Sequence, residues 1–181
     1  MFPDLPIRGD GNTLLVIGEA PGADEDLQGK GFVGRAGRTL QHLLEEHGLQ
    51  RGYDYGCANI LRCRPPGNRK PAREEIENCL PLLAQTLKLA KPRTILLVGA
   101  TPTAIFCGPG ALSVRIEEGL CGTTTLALAH ERIRAEIEGV QLFAMPHTSP
   151  LAWNRNAPDG RKWSAIGKIV IKEVAAILRR K

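Results

Sequence analysis

Three segments of the sequence place chemically useful side chains beside short apolar runs. Segment 18–26 (GEAPGADED) holds four carboxylates directly after such a run, and a carboxylate there can orient a water molecule. Asn59 lies late in a second strand-like run, where its amide can pair with a planar, amide-like ligand. His147 follows another run and can donate a hydrogen bond to a developing anion. A solvated acidic turn, an amide bonded to backbone groups and a structural histidine are the ordinary alternatives.

The hydrophobic pattern predicts the scaffold that would position these segments. Apolar runs predict strands at 13–18, 53–61, 93–99 and 141–146. Helical spacing and its end signals predict helices at 36–47, 72–90, 102–107 and 163–178. Segment 109–139 is ambiguous, with a turn expected at 119–122 and a helical piece at 126–137. Strands that alternate with helices imply crossover connections, so we predict one α/β domain spanning 1–181, with a mostly parallel sheet covered by helices on both faces.

The predicted sheet brings the three segments together. Ligands of such folds gather beyond the carboxyl ends of the strands. The loops after the first, second and fourth strands contain most of the Gly, Pro, Asn, Glu, Arg and His residues that could serve a site. We therefore expect these loops to line one crevice.

Composition excludes several classes of protein. The 181 residues are 43% hydrophobic and 24% charged, which is typical of a globular protein. No apolar run approaches the ~18 residues that span a bilayer, and the first residues lack the basic and apolar regions of a secretory signal. We therefore expect a soluble, cytoplasmic protein with no membrane partner. Five cysteines in such a chain argue against a disulfide framework.

The charge gives a mild bias toward polyanionic partners. The formal net charge is +5 and the pI is about 9.1. Basic residues concentrate in segment 62–73, although a single such residue is usually a solvated surface group. Segment 29–34 (GKGFVG) matches a dinucleotide-binding pattern, but it does not directly follow its strand as that motif requires.

Longer motifs are more specific than any of these patterns. They are GEAPGADED (18–26), GKGFVGRAG (29–37), NILRCRPPGNRKP (59–71), EIENCLPLL (75–83) and HTSPL (147–151). In this order and spacing the chain resembles the uracil-DNA glycosylase superfamily, and within it family 4, the iron–sulfur branch. The resemblance extends from about Thr13 to Pro150. It implies a three-layer α/β/α sandwich on a four-stranded parallel sheet, in agreement with the pattern of elements.

The resemblance implies roles for residues around the base. Glu19 and Ala20 match the motif in which backbone groups meet the uracil edge and a carboxylate helps to place the attacking water. Glu25 matches a second acidic position near that water. Phe32 matches the aromatic residue that stacks on the flipped base. Asn59 matches the residue that reads the O4 and N3 edge of uracil and rejects cytosine.

The resemblance also implies contacts with the leaving group and the DNA. His147 matches the histidine that stabilises negative charge on uracil O2. Ser149, Pro150 and Leu151, called the wedge segment below, match the loop that presses into the duplex, where extruding a base costs about a few kcal/mol. The basic residues expected to bind phosphates are Arg62, Arg64, Arg69 and Lys70.

The implied reaction is hydrolysis of the N-glycosidic bond of uracil in DNA, which leaves an abasic site. Uracil-containing DNA is the expected partner, no cofactor is required for catalysis, and a monomer is expected. Ala20 stands where another branch of the superfamily has aspartate. Water activation would therefore fall on Glu19, on Glu25 or on charge in the substrate, and these alternatives stay open.

Two departures from the family pattern affect these expectations. Family 4 binds a 4Fe–4S cluster through four cysteines; Cys63 and Cys79 match two of them, whereas the N-terminal pair has no match. Because two thiolates cannot hold the cluster, it has been lost, another ligand set completes it, or an upstream segment is lacking; we expect loss. Thr148 stands where proline is common, which could loosen the wedge segment or alter its approach to the base. A short 65–71 loop argues against covalent capture of DNA, because the self-crosslinking branch has a longer insertion there.

Three other functions remain alternatives. One is a glycosylase of the same fold for another deaminated base, such as hypoxanthine or xanthine. Another is a non-catalytic DNA-binding relative, which the missing cysteines and Thr148 favour. A third is a nucleotide-handling α/β enzyme that uses the glycine-rich loop. Base release, salt-dependent duplex binding without release, and tight binding of a free dinucleotide discriminate among them.

Overall fold

The computed structural model describes residues 2–8 and 10–180. Its strands are β1 (Leu14–Gly18), β2 (Tyr55–Asn59), β3 (Thr94–Val98) and β4 (Gln141–Met145). Its helices are α1 (Ala23–Gln28), α2 (Arg35–Glu46), α3 (Arg73–Ala90), α4 (Ala100–Cys107), α5 (Leu112–Cys121), α6 (Glu131–Arg134), α7 (Pro150–Trp153) and α8 (Trp163–Arg179). Short 3-10 turns occur at Pro66–Asn68 and Ala135–Ile137.

The four strands form one parallel sheet in the order β2-β1-β3-β4. The chain therefore runs from β1 outward to β2 on one side and returns to β3 on the other side of β1. Where two adjacent strands connect in opposite directions, their loops diverge and leave a crevice at the carboxyl edge. In this sheet that point lies between β1 and β3. The prediction of a parallel sheet is confirmed.

Two apolar clusters cover the two faces of the sheet. Alternate residues of a strand point to opposite faces, so Leu14 and Val16 join one cluster while Leu15 and Ile17 join the other. Residues of α2, α5 and α8 complete the first cluster. Residues of α3, α4 and α6 complete the second. The predicted three-layer α/β/α sandwich is therefore confirmed.

Most predicted elements appear within a few residues of their expected bounds, and the differences fall in polar segments. The sequence did not indicate α1, which lies inside the acidic loop after β1, or α7, which begins in the wedge segment and ends at Trp153. In the ambiguous segment 109–139 the structure has helix α5. The turn expected at 119–122 is the C-terminal end of this helix, where Gly122 adopts a left-handed conformation at φ 68°. The helical piece expected at 126–137 is shorter: α6 followed by a 3-10 turn.

Two further findings bear on the sequence expectations. Within the described parts of the chain, no helix is both long and apolar enough to cross a bilayer. All five cysteines are free thiols in the structure.

The first prediction tests the core. Leu96 of β3 is completely buried, and Leu96→Ala should lower the free energy of unfolding by about 2–5 kcal/mol, because truncation leaves a cavity in the sheet interior. Denaturant unfolding followed by circular dichroism measures this change. Leu89→Ala is the matched control, since Leu89 is 74% exposed, and it should change the free energy by less than about 0.5 kcal/mol. Equal losses in the two variants would contradict the assignment of the core.

Candidate active site

A cleft of about 390 Å³ opens at the carboxyl edge of the sheet. The loops after β1, β2 and β4 contribute to its walls, as the sequence predicted. The predicted residues that line it are Glu19, Ala20, Glu25, Phe32, Asn59, Arg69 and His147. The structure therefore brings the residues assigned to base binding and to chemistry into one cleft.

The floor of the cleft depends on a glycine that the sequence analysis did not single out. Gly18 ends β1 and pairs in register with Asn59 at the end of β2. A Cβ at Gly18 would lie 2.5 Å from Asn59 Oδ1 and 2.8 Å from Phe32 Cζ. The amide and the aromatic ring therefore converge over the bare backbone of Gly18. Any larger residue at this position would displace both side chains.

Helix α2 fixes the position of Phe32. Phe32 adopts a left-handed conformation at φ 58°, which is unfavourable for a residue with a side chain. Its carbonyl accepts a hydrogen bond from Gln41 Nε2. A Cβ at Gly37 would lie 2.2 Å from the Phe32 carbonyl oxygen, so the helix backbone packs directly on this residue. These contacts hold the ring beside the cleft.

Glu25 binds the backbone of its own loop. Its two carboxylate oxygens accept the N–H of Gly22 at 3.1 Å and the N–H of Gly34 at 2.7 Å. The second contact satisfies a donor at the start of α2, where helix N–H groups have no intrahelical partner. Glu25 thus lines the cleft and also closes the loop that carries Phe32.

Glu19 is held by a residue that the sequence analysis missed. The hydroxyl of Thr101, in the first turn of α4, donates a hydrogen bond to Glu19 Oε2. The Glu19 side chain is only partly buried. A second hollow of about 340 Å³ adjoins the cleft here and is lined by Glu19, Thr101, His147 and Lys70. The loop after β3 therefore also contributes to the site.

His147 is positioned as a neutral hydrogen-bond donor. Its ring is partly buried, and this desolvation lowers its pKa, while the nearby Glu19 carboxylate opposes the shift. The Ser149 backbone N–H donates to His147 Nδ1 at 3.1 Å. Since Nδ1 accepts this bond, the proton of the neutral ring is on Nε2. The ring can therefore donate from Nε2 without carrying a charge.

The predicted phosphate-binding residues have different surroundings. Exposed Arg69 forms a bidentate ion pair with Glu75 at 2.7 and 2.8 Å, and this pair, with the Ala72 N–H, lowers the pKa of Glu75 to about 2. Arg64 Nε donates to Asn68 Oδ1 at 2.6 Å. Lys70 is exposed at the adjoining hollow.

The positions of two arginines differ from what the sequence analysis predicted. The Arg62 guanidinium lies on α3, where it donates to the Leu82 carbonyl at 3.2 Å and to the Thr86 hydroxyl at 2.7 Å. Arg35, which the sequence analysis did not select, is exposed in the first turn of α2 and lines the cleft. Its place beside Gly34 in the GKGFVGRAG motif was the available signal.

The wedge segment directly follows His147 and Thr148, which line the cleft. Ser149 precedes α7, and Pro150 and Leu151 form its first turn. The Leu151 side chain is 71% exposed, whereas Thr148, directly before the segment, is only 2% exposed. The fold therefore displays an apolar side chain on a short helix at the end of the β4 loop.

The described residues do not fit a four-cysteine cluster site. Cys63 is exposed and Cys79 is half-buried. Within residues 2–8 and 10–180, no group of three or more Cys, His or carboxylate side chains could hold a metal ion. Two thiolates do not satisfy a cluster that requires four.

Comparison with known proteins identifies the family. A model of the uracil DNA glycosylase superfamily matches residues 8–167. A type-4 uracil-DNA glycosylase of Pyrobaculum aerophilum is 49% identical over 86 residues, which are 48% of this chain and 43% of the relative. The Archaeoglobus fulgidus type-4 enzyme is 44% identical over 96 residues, 51% of this chain and 48% of the relative. A type-5 uracil-DNA glycosylase of Pyrobaculum aerophilum is 29% identical over 191 residues, 97% of this chain and 74% of the relative.

These matches agree with the fold and the cleft. The chain spans about half the length of the type-4 relatives, whereas the family model covers most of the chain. The protein belongs to the uracil-DNA glycosylase superfamily.

The second prediction concerns the protonation state of His147. Because burial lowers its pKa below the usual 6.5, the ring should be neutral at pH 7 and should gain a proton only at more acidic pH. That proton would break the bond to the Ser149 N–H, so folding stability should fall as the pH drops through the lowered pKa. Nitrogen-15 NMR of labelled histidines should show the neutral Nε2–H form, with His147→Gln used to assign the signal. A ring charged at pH 7 would contradict this account.

Proposed function

We propose that this protein is a uracil-DNA glycosylase that extrudes uracil from DNA and hydrolyses its N-glycosidic bond. The observation that carries the proposal is the convergence of the Phe32 ring and Asn59 Oδ1 over Gly18, at the floor of a cleft that His147 also lines. The Phe32 ring matches the face of uracil, the Asn59 amide matches one polar edge, and the neutral donor of His147 matches the O2 atom. The family membership supports the same substrate class.

The pocket would recognise uracil through complementary donors and acceptors. The Phe32 ring offers a face on which the extruded base can stack. The Asn59 amide can donate to O4 and accept from N3–H. Cytosine has a donor and an acceptor in place of these groups, so its pairing with the amide is mismatched. Burying such mismatched polar groups is costly, which is how a site of this kind rejects the related base.

His147 would stabilise the leaving group. As the bond between N1 of uracil and C1′ of the sugar breaks, its electron pair passes to the base, and negative charge grows on O2. The Nε2–H of His147 donates to that oxygen more strongly in the transition state than in the ground state, and this difference accelerates the reaction. The donor is neutral, so it needs no proton transfer in this step.

Glu19 is the better placed carboxylate to orient the attacking water. The Thr101 hydroxyl fixes one of its oxygens, and a carboxylate has further lone pairs that can accept a hydrogen bond from a water molecule. Both oxygens of Glu25 are engaged by backbone N–H groups. The water oxygen would bond to C1′ as the base leaves, and its released proton neutralises the uracil anion or is held by Glu19. Glu25 would then maintain the loop that presents Phe32.

The DNA contacts belong to the same proposal. Arg69, Lys70 and the newly identified Arg35 lie at the cleft or beside it, and they would bind phosphates without reading sequence. Arg62 and Arg64 are predicted contacts on the neighbouring loop. The wedge segment would enter the duplex beside the extruded base. A monomeric state, a cytoplasmic location and catalysis without a cofactor remain predictions.

The third prediction tests this function directly. Wild-type protein should release uracil from labelled oligonucleotides, single-stranded and paired with G or A, in the presence of EDTA. His147→Ala should lower the rate about 10²- to 10³-fold, because it removes the donor to the developing anion. Asn59→Ala should lower it about tenfold to hundredfold, because polar edges of the base lose their partner. Alkaline cleavage of the abasic product measures each rate.

Matched surface variants control for general effects of these substitutions. Asn78 on α3 and His42 on α2 are exposed and lie away from the cleft lining. Asn78→Ala and His42→Ala should retain wild-type rates. Duplex binding by the wild-type protein with no release of uracil would contradict the proposal, and release of hypoxanthine or xanthine instead would change its substrate.

The fourth prediction concerns Thr101. Thr101→Val keeps the shape of the side chain but removes the hydrogen bond to Glu19 Oε2. It should lower kcat for uracil release about fivefold, the usual effect of one hydrogen bond, with little change in KM, since Thr101 has no predicted contact with the base. Steady-state kinetics on a single-stranded substrate make the measurement. Thr101→Ser, which keeps the hydroxyl, should restore kcat; equal loss in both variants would assign Thr101 to packing alone.

A further inference from the structure

The wedge segment is anchored on both sides of its exposed leucine. On the N-terminal side, the Thr148 hydroxyl donates to the Ala36 carbonyl at 2.7 Å, and Thr148 is almost completely buried. On the C-terminal side, the ring of Trp153 lies on the backbone of Gly167 in α8. A Cβ at Gly167 would be 2.5 Å from two carbons of that ring. Leu151 is thus held between two fixed points while its own side chain faces solvent.

The N-terminal anchor connects two walls of the cleft. Ala36 lies in the first turn of α2, which begins at Arg35. The preceding residue, Gly34, donates its N–H to the Glu25 carboxylate. The same helix backbone packs on Phe32. A continuous set of contacts therefore joins the loop of Phe32, the start of α2 and the loop after β4. The Thr148 hydroxyl makes a direct hydrogen bond between α2 and that last loop.

We infer that Thr148 is a positioning residue for the wedge segment, holding Leu151 at a fixed distance from the base pocket through the Ala36 carbonyl. The inference rests on the proposed function. Thr148 lacks the backbone restraint of the proline that is common at this position. Its side-chain hydrogen bond to the Ala36 carbonyl restrains the loop through a tertiary contact instead. A fixed wedge loses less conformational entropy when it enters the base stack, so the extruded state is more populated.

The effect should depend on whether the DNA is paired. In a duplex, uracil must leave its partner and its stacked neighbours before it reaches the pocket, and the wedge opposes its return. A single strand offers little stacking to oppose. Loss of the Thr148 bond should therefore slow release from duplex DNA and leave release from single strands nearly unchanged. A residue that only stabilises the fold would slow both substrates alike.

The experiment compares Thr148→Val, Thr148→Ser and Thr39→Val with the wild-type protein. Valine keeps the branched shape of threonine and removes the hydroxyl, and serine keeps the hydroxyl. Thr39 is a matched control because its hydroxyl donates to the Arg35 carbonyl of the same helix, at 3.2 Å. Rates of uracil release are measured on one sequence in single-stranded and duplex form. Fluorescence of 2-aminopurine placed beside uracil reports unstacking in the duplex.

Thr148→Val should lower the duplex rate about fivefold relative to the single-strand rate, as expected for one hydrogen bond, and reduce the 2-aminopurine signal. Thr148→Ser and Thr39→Val should keep the wild-type ratio. Equal slowing of both substrates by Thr148→Val, or failure of serine to restore the ratio, would overturn the inference while leaving the proposed function intact. Absence of uracil release by the wild-type protein from both substrates would overturn the proposed function, and this inference with it.

Discussion

The carboxyl end of β1 must remain bare backbone for the cleft to exist. Gly18 lies at the point where Asn59 on the adjoining strand and the Phe32 ring above it approach each other, and neither leaves room for a Cβ. The parallel register fixes Asn59 relative to Gly18, and the packing of α2 fixes Phe32. The base-binding geometry therefore follows from one strand pairing and one helix contact. The loops around the cleft add chemistry to a site that the scaffold has already shaped.

The electrostatics of the cleft suit a reaction that releases an anion. Burial favours the neutral form of His147, and the Ser149 N–H selects the tautomer that presents a donor. The carboxylate of Glu19 favours positive charge at the same ring but does not reverse the lowered pKa. A neutral donor and an anchored carboxylate can thus share a small site, each with a separate role. The Thr101 hydroxyl fixes one oxygen of Glu19 and thereby sets the orientation of this carboxylate.

Much of this organisation could be predicted from sequence because it depends on local pattern. The four strands are short apolar runs, and parallel strands place the loops that follow them at one edge. Thr101 was missed because a threonine after an apolar run has no distinctive signal, and the strand order that brings α4 beside β1 is not written in local sequence. Helix α5 was obscured by Gly119, which suggested a turn; in the structure this glycine lies inside the helix, where a Cβ would be 3.1 Å from the Leu142 carbonyl oxygen of β4. The bond between Thr148 and Ala36 joins residues separated by 112 positions, and only the folded chain reveals it.

The proposed function requires that the cleft at the carboxyl edge of the sheet binds the excised base. The most direct measurement is a crystal structure of the protein with DNA containing one uracil, captured after cleavage. Uracil should be stacked on Phe32, with its O4 and N3 edge at Asn59 and its O2 atom at the Nε2 of His147. A base bound outside this cleft, or bound there with its polar edge turned away from Asn59, would contradict the account.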